Sequence, residues 1–292
     1  MDSLDTAVRA YDDLLELAGV TDTDDTQLIL RKRLSQRRDL TLVRLAGTFY
    51  LVIACDSDGG IGPKPNDTVP APPELLGRFA ARVPLMEMVA SGARPLVLVD
   101  TLSVEMEPTG RQIIEGVRIE AHLAGMVGEN VVTGSTEDNV PTTATGVGVT
   151  AIGIAEERQL RQGKSEPGDV IVCVGIPKSA PHDTVTIDDP EIADIPTAIS
   201  ISLIPHVRDI LPVGSKGIHH EALQMAESAH LELELSPECR LDTAKSAGPS
   251  TCILASLPEA SLSEFQDAIS KPVSVVGGLI RPAQITWRLS CP

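Results

Sequence analysis

The stretch "TATGVGVTAIGIAEE", from Thr143 to Glu157, alternates with a period of two. Successive side chains point to opposite faces of a strand, whereas a helix of 3.6 residues per turn would scatter the same residues around its axis. A chain holding this run must build a β-sheet. Gly146 and Gly148 share one face, as in a strand closely backed by another element. The segments before it mix strand and helix patterns. "TLVRLAGTFYLVIAC" predicts one or two strands, and "LVLVDTLSVE" and "NVVTG" one each. "PPELLGRFAARVPLMEMVASGARP" predicts a helix that stops at Gly92 and kinks or breaks at Pro84, and "TGRQIIEGVRIEAHLAGMVG" a second. Leu4, Val8, Leu14, Leu15 and Leu17 are spaced like a further helix at the start of the chain.

After the polar turn "ERQLRQGKSEPGD" the mixture resumes. "PGDVIVCVGIP", "TAISISLI", "STCILASL" and "VSVVGGLI" read as strands, and "GIHHEALQMAESAH" and "SLSEFQDAIS" as helices. The fold class is α/β, of the α+β type, with domains at 1–164 and 165–292 divided near Lys164. A length of 292 residues supports real cores in both. With only 2% aromatic residues, those cores must be built from Val, Ile, Leu and Ala.

The net charge of −17 repels nucleic acid and anionic lipid, so neither is an expected partner. Five separated cysteines, Cys55, Cys173, Cys239, Cys252 and Cys291, fit a reduced compartment better than a disulfide framework or a zinc site. The acidic amphipathic N-terminus is unlike a signal peptide, and no apolar run approaches the ~18 residues a membrane span needs. The expected location is the cytoplasm.

Directly after "FYLVI" comes "ACDSDGGIGPKPND". Gly59, Gly60 and Gly62 stop the strand and permit close backbone approach to a ligand. Asp56 and Asp58 suit a hard cation, which prefers oxygen ligands, or else they belong to an acidic turn that caps the strand. "TGSTEDNVPTT" is a second acidic loop after a strand, carrying Glu137, Asp138 and Asn139. Local turn formation is the other reading of that loop. Glu87 stands between Met86 and Met88 on an apolar helix face, where an isolated Glu would snorkel outward. "PVGSKGIHHEA" is a glycine loop opening a helix, with Lys216 placed to add charge for an anion, or a plain helix start. His219, His220 and Glu221 suit surface or capping roles better than a metal. Cys55 reads as a small buried thiol rather than a nucleophile. "GKS" at Gly163–Ser165 lacks the earlier glycine of a phosphate loop, since Arg158 stands there, and reads as a solvated linker.

In their order these segments resemble the superfamily of aminoimidazole ribonucleotide synthetase, selenophosphate synthetase, thiamine-monophosphate kinase and the hydrogenase-maturation dehydratase, from about Leu51 to Ile280. "DGGIGPK" is similar to the synthetase's aspartate-glycine-lysine loop. "MEMVASGARPLVLVD" places Glu87 where members carry a metal-binding Asp, and "TGSTEDNVPTTATGVGVTAIG" places Asp138 on the metal aspartate of selenophosphate synthetase. The resemblance implies a two-domain PurM-like fold whose N-terminal strands form a barrel shared in a homodimer, with a C-terminal α/β domain. It implies ATP and Mg²⁺ as cofactors, held by Asp56, Asp58, Glu87 and Asp138. Lys64, Gly59, Gly60, Gly62, Gly134, Ser135 and Thr136 would contact the nucleotide, and Asp138 and Lys216 would serve catalysis.

Departures from the family pattern accompany this. The catalytic Cys or selenocysteine and Lys of selenophosphate synthetase have no N-terminal counterpart. Pro212 occupies the place of the aspartate common before the C-domain glycine loop. The cysteine-bearing tail of the hydrogenase protein is not evident, although Cys291 lies near the end. The expected function is an ATP- and Mg²⁺-dependent small-molecule kinase, nearest to the α-ribazole kinase branch of cobalamin-precursor salvage. The alternatives are an ATP-dependent synthetase activating an amide or carboxyl oxygen, and a non-catalytic nucleotide-binding protein.

Overall fold

The computed structural model describes residues 33–45 and 47–282. The expected helix around Leu4–Leu17 and Cys291 lie outside the described residues. The first half begins with β1 (Leu34–Arg37), β2 (Leu40–Arg44) and β3 (Phe49–Gly59). Two very short strands follow, β4 (Ile61–Gly62) and β5 (Val69–Pro70), and then helix α1 (Pro73–Ser91). The half is completed by β6 (Arg94–Leu102), α2 (Arg111–Leu123), β7 (Val132–Thr136) and β8 (Gly146–Glu156). Six of these strands form one sheet in the order β1-β2-β3-β8-β6-β7, in which only the β6–β7 pair is parallel.

The period-two run behaves as its pattern requires. Val147, Val149, Ala151 and Ala155 of β8 are buried on one face, level with Tyr50, Val52 and Ala54 of β3. Helices α1 and α2 cover that face. They cross closely because two glycines allow it: a Cβ on Gly77 would stand 2.0 Å from the Ile113 carbonyl oxygen, and one on Gly116 2.1 Å from that of Glu74. The close backing expected at Gly146 and Gly148 lies elsewhere. Those two meet Ser103 and Thr101 on the neighbouring chain segment, whereas Gly153, on the inner face, is the residue pressed against Met88 of α1.

Pro73 opens α1 after Pro72, and Gly92 closes it at φ 85°, its N–H reaching the Met88 and Val89 carbonyls. The helix runs unbroken through Pro84, so the break does not occur. Leu85, Met86 and Met88 are fully buried around it, and packing on both sides outweighs the missing hydrogen bond.

The second half contains β9 (Asp169–Gly175), α3 (Ile195–Leu203), β10 (Asp209–Pro212), α4 (Gly217–Ser228), β11 (Glu232–Leu235), β12 (Cys252–Pro258), α5 (Leu262–Ala268) and β13 (Val273–Ile280). Its antiparallel sheet runs β10-β12-β9-β13-β11. One face, through Val172, Val174, Ile253 and Ala255, joins the same core as α1 and the first sheet. The other, through Ile171, Cys173 and Leu254, packs under Ala222 and Met225 of α4. Helix α1 thus touches strands of both sheets.

Two expectations fail here. "TAISISLI" is helical: Asp194 caps α3 by accepting the Thr197 N–H at 2.8 Å, Pro196 sits in its first turn, and Ile195, Ala198 and Ile201 face the core at helical spacing. These start signals and the burial stripe outweigh the β-branched alternation. "GKS" is no solvated linker either. The Gly163 N–H donates to Asp209 at 3.0 Å, and buried Ser165 shares a 2.7 Å hydroxyl contact with Ser256.

The helix crossing gives a direct test. Gly116→Ala should lower unfolding free energy by about 2 kcal/mol or more in urea titrations, because backbone clash exceeds the gain in helix propensity. Gly59→Ala, whose Cβ would meet nothing within 4 Å, should change it by less than about 0.5 kcal/mol.

Candidate functional site

The inner face of β3 changes chemistry along its length. Tyr50, Val52 and Ala54 are buried in the core, and the same alternation then presents Asp56 and Asp58. Both are half-buried, where the sheet's apolar face opens into a cleft. Burial pushes Asp58 up to about 6, with the Asp56 charge adding to it. Asp56 is raised too, mainly by burial. The Asp58 Oδ2 atom is buried without a hydrogen-bond partner among the described residues. Cys55 points to the opposite face and is exposed rather than buried.

The cleft has a volume of about 760 Å³. Its first wall is apolar, formed by Ile61, Val69, Leu76, Phe79 and Val83 beside the two aspartates. The facing wall belongs to the second half and is rich in small polar residues: Ser179, Thr184, Gly214, Ser215, Ser246 and Ser250. Asp183 also lines it and pairs with Lys245 at 2.8 Å. Gly214 and Ser215 immediately precede α4, so backbone N–H groups of a helix start border the cleft.

More carboxylates stand behind Asp56. Glu87 on α1 is raised well above its usual range by burial first, then by the Asp39 and Glu221 charges. Glu221, on α4, is pushed up to about 7 by burial and by Asp39, although it accepts the Gly214 N–H. Asp39 lies in the turn between β1 and β2. Glu221, expected in a surface or capping role, is instead buried, and Asp39 carries no sequence signal, because only folding brings that turn, α1 and α4 together. Next to Asp39, Arg38 pairs with fully buried Asp209. Among the described residues no three His, Cys, Asp or Glu side chains already stand as a metal cage.

The other expected residues are engaged locally. Lys64 pairs with Glu105, which is pulled down to about 2 by Lys64 and Thr109. Gly62 is required where it stands, since a Cβ would come within 2.5 Å of the Thr145 hydroxyl; Gly60 has φ 70°. Gly134, Ser135 and Thr136 form the end of β7 rather than a loop. Asp138 is exposed, with Oδ1 accepting the Met106 N–H at 2.9 Å and Oδ2 the Thr136 hydroxyl at 2.8 Å. Lys216 is exposed at the start of α4, beside the two cleft residues Gly214 and Ser215.

Asp100 went unnoticed in the sequence. It is 2% exposed on β6, its Oδ2 lacks a partner, and burial pushes it up to about 6. Its side chain fills the place where Gly134 would carry a Cβ, 1.9 Å from Oδ1. Only the pairing of Asp100 with Gly134 across β6 and β7 reveals this.

Residues 37–155 match the family model described as AIR synthase related protein, N-terminal domain. That match spans less than half of the chain, and it is a likeness to the family's N-terminal domain. The described residues share a PurM-like fold with solved structures. Thiamine-monophosphate kinase from Stenotrophomonas maltophilia is 17% identical, with 92% of this chain and 95% of that one covered and a TM-score of 0.55. E. coli HypE, a hydrogenase maturation protein, is 15% identical over 79% of this chain and 80% of its own, at 0.59. T. maritima PurL, solved with ATP, is 16% identical over 94% of this chain and 51% of its own, at 0.58. No protein of curated function matches the sequence. The AIR synthase-related match ends at the last residues of β8, so it contains Asp56, Asp58, Glu87 and Asp138 but not the facing wall of the cleft. Among the described residues no helix is long and apolar enough to cross a membrane.

The buried Asp58 charge should be visible in stability. Its folded value lies above the ordinary 3.8, so its contribution is most favourable below about 4 and is lost as pH rises through about 6. In metal-free buffer, Asp58→Asn should therefore match the parent protein at pH 4. At pH 8 it should unfold at higher denaturant, by on the order of 2 kcal/mol. A variant no more stable at pH 8 would remove the uncompensated charge from the site.

Proposed function

We propose that the protein is an ATP- and Mg²⁺-dependent phosphotransferase acting on a small molecule. The observation that carries this reading is the Asp58 oxygen, buried and unpartnered beside Asp56 at the mouth of a cleft. Two desolvated carboxylates repel each other, and a hard divalent cation relieves both penalties at once. The donor set therefore fits Mg²⁺, with Asp56 and Asp58 as the first ligands. Glu87 and Asp138 join the proposed set, since each Asp138 oxygen keeps a lone pair beyond its local hydrogen bond. Mg²⁺ would neutralise charge on the transferred phosphoryl group.

The remaining roles fall to the chain's own groups. The apolar wall at Ile61, Val69 and Phe79 takes a ring, either the base of ATP or that of the acceptor. Backbone N–H groups at Ser215 and Lys216 and the Lys216 ammonium hold phosphate oxygens, and Lys64 with the loop from Gly59 to Gly62 supports the nucleotide from the other side. The neighbouring folds include a thiamine-monophosphate kinase and a PurL solved with ATP, which supports an ATP-using reaction here. The acceptor proposed first is α-ribazole.

A second reading rests on Pro212, which ends β10 just before the glycine loop, where the family pattern has an aspartate. A missing acidic ligand there favours a nucleotide-binding protein without turnover. Incubation with Mg-ATP and a panel including α-ribazole and thiamine monophosphate, resolved by mass, separates these. ADP with phosphorylated α-ribazole supports the kinase. ADP and inorganic phosphate formed only with an amide or carboxyl acceptor indicates the synthetase, and binding without ADP the non-catalytic protein. In the first case Asp58→Asn should reduce turnover by roughly a hundredfold, the cost of one charge contact in the transition state.

The proposed homodimer uses the outer face of the first sheet. Leu34, Val43, Leu51 and Ile154 form one row across four strands, and Ile53, Ile152 and Val97 another. Leu34 and Phe49 are more than half exposed, at 55% and 51%, and Leu96 is 46% exposed. Such a continuous apolar sheet face calls for cover, and a second copy pairing face to face supplies it. Sedimentation should give a dimer, and Ile152→Asp a folded monomer. A monomeric parent protein would overturn this part of the reading.

A further inference from the structure

A second cavity, of about 980 Å³, lies at the far end of α1. The nucleotide cleft meets α1 between Pro72 and Val83, whereas this cavity begins at Val89 and Gly92. Its lining includes Arg94, Arg158, Arg161, Lys164 and Arg208, with Glu166 its only carboxylate. In a chain of net charge −17, five cations gathered around one cavity are an exceptional concentration.

Their partners show which charges are still free. Arg208 is matched by Glu166 at 2.6 Å and Asp169 at 3.1 Å, and Arg158 by Glu156 at 2.7 Å. Arg161 instead donates to two backbone carbonyls, Val207 at 2.8 Å and Ser202 at 2.7 Å, and Lys164 to the Arg158 carbonyl at 2.6 Å. The Arg94 side chain has no ion-pair or hydrogen-bond partner among the described residues. Asp209, the buried acid whose charge acts on Arg161 and Lys164, is already held by Arg38. Burial disfavours the charged form of both Arg161 and Lys164, and Arg161 further disfavours that of Lys164. The scaffold beneath them is fixed: the Gly163 N–H is tied to Asp209, and Ser165 to Ser256.

We infer that this cavity is a binding site for a small phosphorylated anion carrying two or more negative charges, separate from the nucleotide cleft. Arg94, Arg161 and Lys164 supply the charge. Val89, Ala93, Ile199 and Val207 give the apolar wall for the rest of the molecule. The site stands independently of the function proposed for the cleft.

Inorganic pyrophosphate is the probe, titrated calorimetrically into the full-length protein in buffer stripped of divalent cations. Without a cation the carboxylates of the cleft repel polyanions, so binding reports on the basic cavity. Pyrophosphate should bind more tightly than phosphate, and the variants Arg94→Glu and Lys164→Glu, at exposed positions, should each weaken it at least tenfold. Asp58→Asn should leave it unchanged. Three results overturn the inference: no binding to the parent protein at millimolar pyrophosphate, unaltered binding by the Arg94→Glu/Lys164→Glu double variant, or an equal response to sodium chloride of matched ionic strength.

Discussion

Helix α1 packs against strands of both sheets, and that shared contact determines where everything else can lie. Its inner residues Leu85, Met86 and Met88 are fully excluded from water. Gly77 admits the backbone of α2, and Gly153 of β8 yields space to the Met88 sulfur. A helix held from several directions tolerates what an exposed one would not, including Pro84 in its middle and Glu87 on a crowded face. The two cavities described above meet different stretches of its 19 residues, the cleft from Leu75 to Val83 and the basic cavity at Val89.

Charge is distributed along the same axis. Asp56 and Asp58 line the cleft and Glu87 and Glu221 stand behind them, and all four have their neutral forms favoured by burial. Cations collect at the far end, with Arg161 and Lys164 disfavoured by burial in the opposite sense. Structural ion pairs elsewhere show how this chain normally settles a buried charge. Glu120 is fully buried between Arg78 and Arg82, and Asp209 is bound by Arg38. Burying an ion without such a partner is costly. The exceptions at the two ends of α1 are therefore where ligands of opposite charge have most to contribute.

Much of the fold was legible because it is written locally. The alternation of β8, the Pro-to-Gly span of α1 and the glycine loop before α4 each carry their signal within a few residues. Asp56 and Asp58 were read as a cation pair or a capping turn after the strand, whereas β3 continues through both of them to Gly59. Residues 195–203 were misread because Thr, Ile and Ser alternate as in a strand, while the deciding signals were the Asp194 cap and Pro196 just ahead. Asp100 and Asp39 could not be found this way, and Glu221 was assigned a surface or capping role although it is buried. Each acquires its character from a partner brought in by tertiary structure: Gly134 across a strand pair, or a turn inserted beside two helices.

The glycine and lysine residues near the cleft show why sequence patterns alone overstate ligand roles. Gly62 is needed by Thr145 and Asp67 of the protein itself, Gly134 by Asp100, and Lys64 already has Glu105. A glycine beside an acidic strand end is thus explained equally by close approach of the chain's own groups. What distinguishes the two cases is satisfaction. The Asp67 carboxylate accepts from the Thr145 N–H at 2.7 Å, the Thr145 hydroxyl at 2.7 Å and the Lys64 N–H at 2.8 Å. Asp58, on the neighbouring strand, has a buried oxygen that accepts from nothing. Two carboxylates nine residues apart therefore differ in kind: Asp67 is fully used in holding the loop, and Asp58 keeps a buried oxygen that no group among the described residues satisfies.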